Sequence, residues 1–293
     1  MKHINILSAV LVLLLTSSLY AQQDPYYTLY KYNMNMVNPA YAGSTGFSEL
    51  STGFRMQWVG VEDAPKTQFL SYTAPLKRNL GIGISVINDE VFVLKETDIT
   101  VDVSYHIKLN EEYLLYFGIK GGGSFIHIDL EKANVKNDPL FAENQSFFNP
   151  TMGAGLYLKN EKFYLTLSTP NFLSGERYEK EGNVPIAATD KLHMYVGGGY
   201  HLQVSDKITF MPSIMMRYID GVENAYDLSA AFDFNQKVNA GINYRLNESI
   251  AVFAMTKVID QMQFGVAYEK STEQSSDFTG TGTFEALLRF RFL

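Results

Sequence analysis

The chain has 293 residues, of which 46% are hydrophobic and 19% charged, with no cysteine and a formal net charge of −7. That length suits one large domain or two small ones. The lack of cysteine excludes disulfides and a lipid-attachment thiol. The acidic balance argues against nucleic-acid binding, which asks for a basic face.

The amino terminus opens with a short basic start, Met1-Lys2-His3, followed by an apolar run from Ile4 to Leu15. Thr16 to Ala21 is more polar and ends on a small residue. Residues 1–21 therefore read as a secretory signal peptide cleaved after Ala21, although Leu19 at the −3 position is larger than ideal. The apolar core is too short for a membrane anchor, and nothing after it reaches the ~20 consecutive apolar residues of a membrane helix. Losing Lys2 with the signal takes the charge from −7 to −8. Residues 22–46 form a second segment. It carries Tyr26, Tyr27, Tyr30 and Tyr32, then the dense stretch M-N-M-V-N-P-A-Y-A-G-S from Met34 to Ser44.

From residue 47 to 293 the dominant period is two. Ile99, Val101, Val103, Tyr105 and Ile107 alternate with Asp98, Thr100, Asp102, Ser104, His106 and Lys108, and Leu80, Ile82, Ile84 and Val86 alternate with Gly81, Gly83 and Ser85. Such alternation marks strands with one apolar and one polar face. A soluble sandwich and a membrane barrel both satisfy it. Three features favour the barrel. Segments such as 93–108 exceed the usual five or six residues and match the ~9–11 of a tilted membrane strand. The polar face is rich in Gly, Ser, Asp, Lys and Arg, which suits a lumen. The chain also ends in strand, with Phe284, Ala286, Leu288, Phe290 and Phe292 on one face and Glu285, Arg289 and Arg291 on the other.

The segments predict an all-β fold, a transmembrane antiparallel β-barrel of about 14 strands. The predicted strands are 47–59, 65–75, 80–89, 92–108, 111–129, 148–160, 162–169, 190–204, 207–218, 225–235, 237–245, 249–257, 261–270 and 282–293. Connections after even-numbered strands are short, as periplasmic turns should be, and the long ones follow odd-numbered strands. The tight Leu246-Asn247-Glu248 turn falls on the long-loop side. Residues 22–46 cannot be irregular backbone facing lipid. They start on the periplasmic side and pack as a lid in or under the barrel, or dock a partner. In the lid reading Pro39 restricts Asn38 to extended geometry, Gly43 permits a turn, and Ala40 and Ala42 allow close approach to the wall.

Chemistry-bearing patterns are sparse. His106, His193 and His201 read as polar lumen residues, since no two histidines stand at metal-ligand spacing. Gly121-Gly122-Gly123 and Gly197-Gly198-Gly199 lie inside strands with no helix after them, so they are not phosphate cradles. Arg217 and Arg245, with Asp98, Asp102, Asp227 and Asp233, are placed to balance charge in the lumen. The loop Ser174–Glu181 lacks the alternating ligand pattern of a Ca²⁺ site. No Ser/His/acid set can be assembled. The expectation is a non-enzymatic protein with no cofactor and no bound metal.

Four stretches together carry a resemblance. Asn38-Pro39-Ala40-Tyr41-Ala42-Gly43-Ser44 follows the aromatic segment, Arg55-Met56-Gln57-Trp58 ends the first strand, and Ala64-Pro65-Lys66-Thr67 opens the second. Near the end come Tyr244-Arg245 and the terminal strand with Phe284, Leu288, Phe290 and Phe292, similar to an outer-membrane insertion signal. The sequence resembles the PorP/SprF family of outer-membrane proteins, associated with the type IX secretion system of Bacteroidota. It departs from the family where Phe284-Glu285 replaces His-Glu and where Val266-Ala267-Tyr268-Glu269 replaces a Tyr-Ala-Tyr-Asp-like segment. The resemblance implies residence in the outer membrane, against its lipid. It also implies a supporting role in secreting or anchoring a large surface protein, such as an adhesin used in gliding, or in contacting other secretion components. On the resemblance, Asn38, Pro39, Ala40, Tyr41, Gly43, Arg55, Gln57, Trp58, Pro65 and Thr67 are the candidate lid or docking residues. The rival reading is a transport barrel, a porin or a channel for small apolar solutes.

Overall fold

The computed structural model describes residues 27–133, 144–173, 192–220, 222–272 and 281–292. The signal segment 1–21 and the loop 174–181 lie outside the described residues. The alternating segments become β1 (Ser48–Met56), β2 (Lys66–Pro75), β3 (Leu80–Val91), β4 (Leu94–Lys108), β5 (Leu114–Ile128), β6 (Gln145–Lys159), β7 (Phe163–Thr169) and β8 (His193–Tyr200). They continue as β9 (Leu202–Ser205), β10 (Ile208–Ile219), β11 (Ala225–Phe234), β12 (Val238–Arg245), β13 (Ser249–Ile259), β14 (Met262–Ser271) and β15 (Thr283–Phe292). Each strand pairs antiparallel with its neighbours in a meander, and β1 closes on β15 through Ser48↔Phe292 to Met56↔Phe284. The result is a closed barrel without a free seam.

The sequence predicts one strand over 190–204, where the structure has β8 and β9 interrupted at His201. Both segments pair with β10, Gly199 with Ser213 and Leu202 with Phe210, so they form one stave and the barrel has fourteen staves. Pro212, which has no N–H to offer, lies opposite this break on one side of β10 and pairs with Ala230 of β11 on the other. The His201 N–H turns instead to the Lys162 carbonyl at 2.6 Å. His201 is exposed at this break rather than set in the lumen, whereas His106 faces inward with its ring 4.8 Å from that of Tyr116.

The end that holds the start of β1 and the end of β15 carries the short connections 76–79, 109–113, 160–162, 206–207, 235–237 and 260–261. The opposite end carries the long ones, 57–65, 129–144, 170–192 and 272–282. Short turns mark the periplasmic end and long loops the outer end. The short connections 92–93, 220–224 and 246–248 are the exceptions on the outer side. There the β3–β4 and β12–β13 hairpins close directly.

Burial decides between sandwich and membrane barrel. Along β4 the polar Asp102 and Ser104 are buried while Val101 and Val103 are more than 40% exposed. The same inversion holds at Arg55, Glu285 and Arg289, all buried, against Ile119, Leu165, Val252 and Leu288, all exposed. A soluble protein hides its large aliphatic side chains. Here they form the outer wall, where lipid tails cover them. In β15, Phe284, Leu288, Phe290 and Phe292 take the outward positions and Glu285, Leu287 and Arg289 the inward ones.

Candidate functional site

The lumen is filled by the chain's own amino-terminal segment. Three short 3₁₀ turns, Tyr30–Tyr32, Met34–Met36 and Pro39–Tyr41, fold inside the barrel before β1 begins. The segment has too few residues between Asn and Pro breaks for a regular helix, so its polar backbone needs partners from the wall. The wall supplies them from top to bottom. Glu285 accepts from the Thr28 N–H at 2.8 Å and the Leu29 N–H at 3.1 Å, and Glu269 accepts from the Thr28 hydroxyl at 3.1 Å. Arg289 donates to the Tyr32 carbonyl at 3.2 Å, and Ser168 donates to the Val37 carbonyl at 2.7 Å. Ser104 and Lys159 donate to the carbonyls of Ala42 and Ser44 at 2.6 and 2.7 Å.

Asparagine does most of the side-chain fastening. Asn35 Nδ2 donates to Asp102 at 3.0 Å and to Ser85 at 3.2 Å. Asn38 is extended at φ −136° and caps the last turn, its Oδ1 accepting from the Ala40 N–H at 2.8 Å. Its Nδ2 donates to the Leu156 carbonyl at 2.9 Å and the Thr166 hydroxyl at 2.7 Å. Both asparagines have no solvent exposure. A short amide with two donors and an acceptor suits a site where wall and segment must be bridged in both directions.

Apolar contacts complete the seat. Leu29 and Met36 pack with Phe69, Phe253, Met255 and Leu287, and Tyr30 and Met34 pack with Tyr195 and Met215. These wall residues sit on the lumen side, where an aqueous channel would be polar. Lower down, a Cβ on Gly118 would lie 2.2 Å from the Ala40 nitrogen, and one on Gly155 would lie 2.0 Å from Asn38 Oδ1. Two neighbouring strands therefore omit side chains where the segment presses on the wall.

The ten motif residues divide between the two ends. Asn38, Pro39, Ala40 and Tyr41 lie low in the lumen, with the Tyr41 ring edge-on to Tyr157 at 5.5 Å. Gly43 follows at φ +69°, a left-handed conformation that glycine alone adopts without strain. Arg55, Gln57, Trp58, Pro65 and Thr67 lie at the outer end, because β1 carries the chain up the wall between the two groups. Arg55 is buried, pairs with Glu285 at 3.3 Å and donates to Gln57 Oε1 at 2.9 Å. Gln57 N–H bonds the Pro65 carbonyl at 3.0 Å, and Thr67 donates to Asp89 at 2.6 Å. Trp58 turns the loop at φ +51°, an unusual backbone for a bulky residue.

The charge pairing read from sequence is realised in part as expected. Arg245 bridges Asp227 at 3.3 Å and Glu269 at 3.1 Å. Asp102 takes Lys120, at 3.0 Å, as its ion partner. Glu49 gathers Arg289 and Arg291 at 3.8 and 2.7 Å. Sequence reading did not single out Thr28, Asn35, Gly118, Gly155 or Lys120, and named Glu269 only within a departure from the family pattern. The signal available for Asn35 was the repeat Asn33-Met34-Asn35-Met36, an unusual mixture of amides and thioethers. Among the described residues no three His, Asp or Glu side chains converge on a metal-sized site.

A family model described as type IX secretion system membrane protein PorP/SprF matches residues 19–290. No curated protein matches the chain. Among solved structures, the CymD monoaromatic hydrocarbon channel aligns with a TM-score of 0.53 at 13% identity, covering 87% of this chain and 90% of its own. The P. putida toluene transporter TodX aligns with a TM-score of 0.51 at 9% identity, covering 89% and 94%. At these identities the likeness establishes the barrel fold and nothing further.

Proposed function

The chain belongs to the PorP/SprF family of type IX secretion system membrane proteins, and from that premise we propose that it is a plugged, non-enzymatic docking barrel. It reaches the outer membrane after removal of a signal peptide and supports secretion or anchoring of a large surface protein, such as an adhesin, or contacts another secretion component. The observation that carries this reading is the filled lumen. Inward apolar residues from Phe69 to Leu287 are covered by Leu29, Met34 and Met36, which a conduit for solutes would leave in water.

With the lumen closed, a partner is left the two ends of the barrel, of which the outer one carries the longer connections. Several of the described residues at that end are tied to one another. Val59 N–H bonds the Gly282 carbonyl at 2.9 Å, Phe92 N–H bonds the Asp63 carbonyl at 3.3 Å, and Lys132 pairs with Asp63 at 2.6 Å. Trp58 sits in this assembly, and tryptophan is a frequent anchor of protein interfaces. It is half-buried there, and its carbonyl accepts from the Val61 N–H at 3.0 Å. Pro39 and Gly43 then hold the plug rather than meet the partner.

The test is affinity purification in mild detergent from native cells, followed by mass spectrometry, with wild type beside Trp58→Ala. A large secreted protein or secretion component should co-purify with wild type and be reduced with W58A. Loss of the gene with every surface protein still in place would refute the docking role. Large steady currents from the purified protein in planar bilayers would favour the transport reading instead.

A further inference from the structure

We propose that the outside of the wall holds one phospholipid at a fixed site, in a hollow over Gly198 whose lower edge meets a charged periplasmic turn. The hollow has a volume of about 480 Å³, within the ~300–1,000 Å³ of clefts that hold small molecules. Its floor is the Gly197-Gly198-Gly199 run of β8. Tyr195 packs on the plug, so the period of two turns Val196, Gly198 and Tyr200 outward. The middle one of these has no side chain. Leu165 of β7 and Ile214 of β10, its partners on either side, are both about half exposed. Phe163 and Tyr200, paired across β7 and β8, close the hollow below. Met216, between Val196 and Tyr226, closes it above. A Cβ on Gly198 would lie 2.8 Å from both Leu165 Cδ2 and the Tyr164 carbonyl oxygen, so the wall is built around the missing side chain.

The membrane says what fills it. Water in an apolar hollow at this depth would find no hydrogen-bond partners, so the occupant is a hydrocarbon chain. Removal from water does not drive the binding, because bulk lipid tails are as apolar as the wall. Packing does, since an empty hollow forfeits dispersion contacts along its lining and a seated chain recovers them. The headgroup then decides which lipid stays. Glu161 and Lys162, both exposed, immediately precede Phe163, and the Lys162 carbonyl accepts from the His201 N–H at 2.6 Å, which fixes the turn beside Tyr200. Asp206 and Lys207, also exposed, repeat the acid–base pair in the turn that leads into β10. A cation beside an anion complements the phosphate and the ammonium of a phosphoethanolamine headgroup. The balanced pairs give a net anionic headgroup no advantage.

The test counts lipids on the whole protein. The purified barrel is stripped of lipid in detergent, then titrated with phosphatidylethanolamine or phosphatidylglycerol in mixed micelles and weighed by native mass spectrometry. Wild type should retain one phosphatidylethanolamine and hold it in preference to phosphatidylglycerol. Ile214→Trp fills the hollow from an outward position and should abolish retention, as should Val196→Trp from the rim above. Lys162→Glu should weaken it by about tenfold, the worth of one hydrogen bond to a charged group. Ile119→Trp, on the lipid face of β5 away from the hollow, should behave as wild type. Heat-modifiable migration confirms that each variant compared is a folded barrel. No lipid on wild type, undiminished retention by the folded blocking variants and K162E, or a preference for phosphatidylglycerol would each overturn the proposal. So would a wild-type dimer that I214W dissociates, which would make the hollow an interface between copies. The outcome is independent of which partner the barrel docks.

Discussion

Replacing Asn38 by alanine should loosen the plug and leave the barrel standing. Asn38 makes three side-chain hydrogen bonds, to Ala40 N–H, the Leu156 carbonyl and Thr166, and is fully buried. An intramolecular hydrogen bond contributes about 0.5–1.5 kcal/mol net, and loss of an N-cap side chain costs about 1 kcal/mol. Allowing for non-additivity, N38A should weaken local seating by about 3 kcal/mol. At 1.4 kcal/mol per tenfold, that is a shift of roughly 10²-fold in the local opening equilibrium. Hydrogen–deuterium exchange resolved on a peptide covering residues 34–47 reads this shift directly. Exchange at Ala40, Tyr41 and Ala42 should accelerate by about two orders of magnitude. Amides within the β4–β5 ladder should keep their protection, since that pairing does not involve Asn38. Unchanged protection of residues 34–47 in a folded N38A barrel would refute the assignment of Asn38 as the fastener.

Three further perturbations follow from the same geometry. Gly118→Val puts side-chain atoms where the Ala40 backbone lies and should unseat the plug, seen as new conductance steps in planar bilayers. Gly121→Ala, whose Cβ meets nothing within 4 Å, should stay silent. Arg55→Met leaves Glu285 without its 3.3 Å partner. Stranding a buried charge costs about 3–5 kcal/mol, so the thermal transition on heat-modifiability gels should fall well below that of wild type. Leu288→Lys places a charge on the lipid face of the terminal strand, at a cost of about 2–4 kcal/mol near mid-membrane. It should lower the folded fraction on refolding into bilayers, while Leu287→Ala, on the inward face, should disturb the plug contact instead.

Much of this architecture was legible in the chain because a strand writes its two faces into alternate residues. Asp102 and Ser104 against Val101 and Val103, or Glu285 and Arg289 against Phe284 and Leu288, need only a period of two and a choice of solvent. Turn lengths then separate the two ends of the barrel, and the terminal strand marks itself by its aromatic face. Irregular backbone carries no such period. Asn38 through Gly43 could be recognised as special, and Pro39 and Gly43 as backbone determinants, but not assigned partners. The motif that reads as one block from Asn38 to Thr67 is divided by β1 between opposite ends.

Barrel closure alone decides what faces what across the lumen. Thr28 and Glu285 are 257 residues apart and Asn35 and Asp102 are 67 apart, and nothing local in either member of a pair names the other. Their contact depends on how fourteen staves curve and where the plug meets the wall. The break at His201, opposite Pro212 of the neighbouring strand, is likewise visible only once the strands are paired. The direction of the plug is likewise tertiary, because a flexible segment before β1 can lie under the barrel or climb through it. The hydrogen-bond requirement of its buried backbone, met by Glu285 above and Ser104 and Lys159 below, selects the climb.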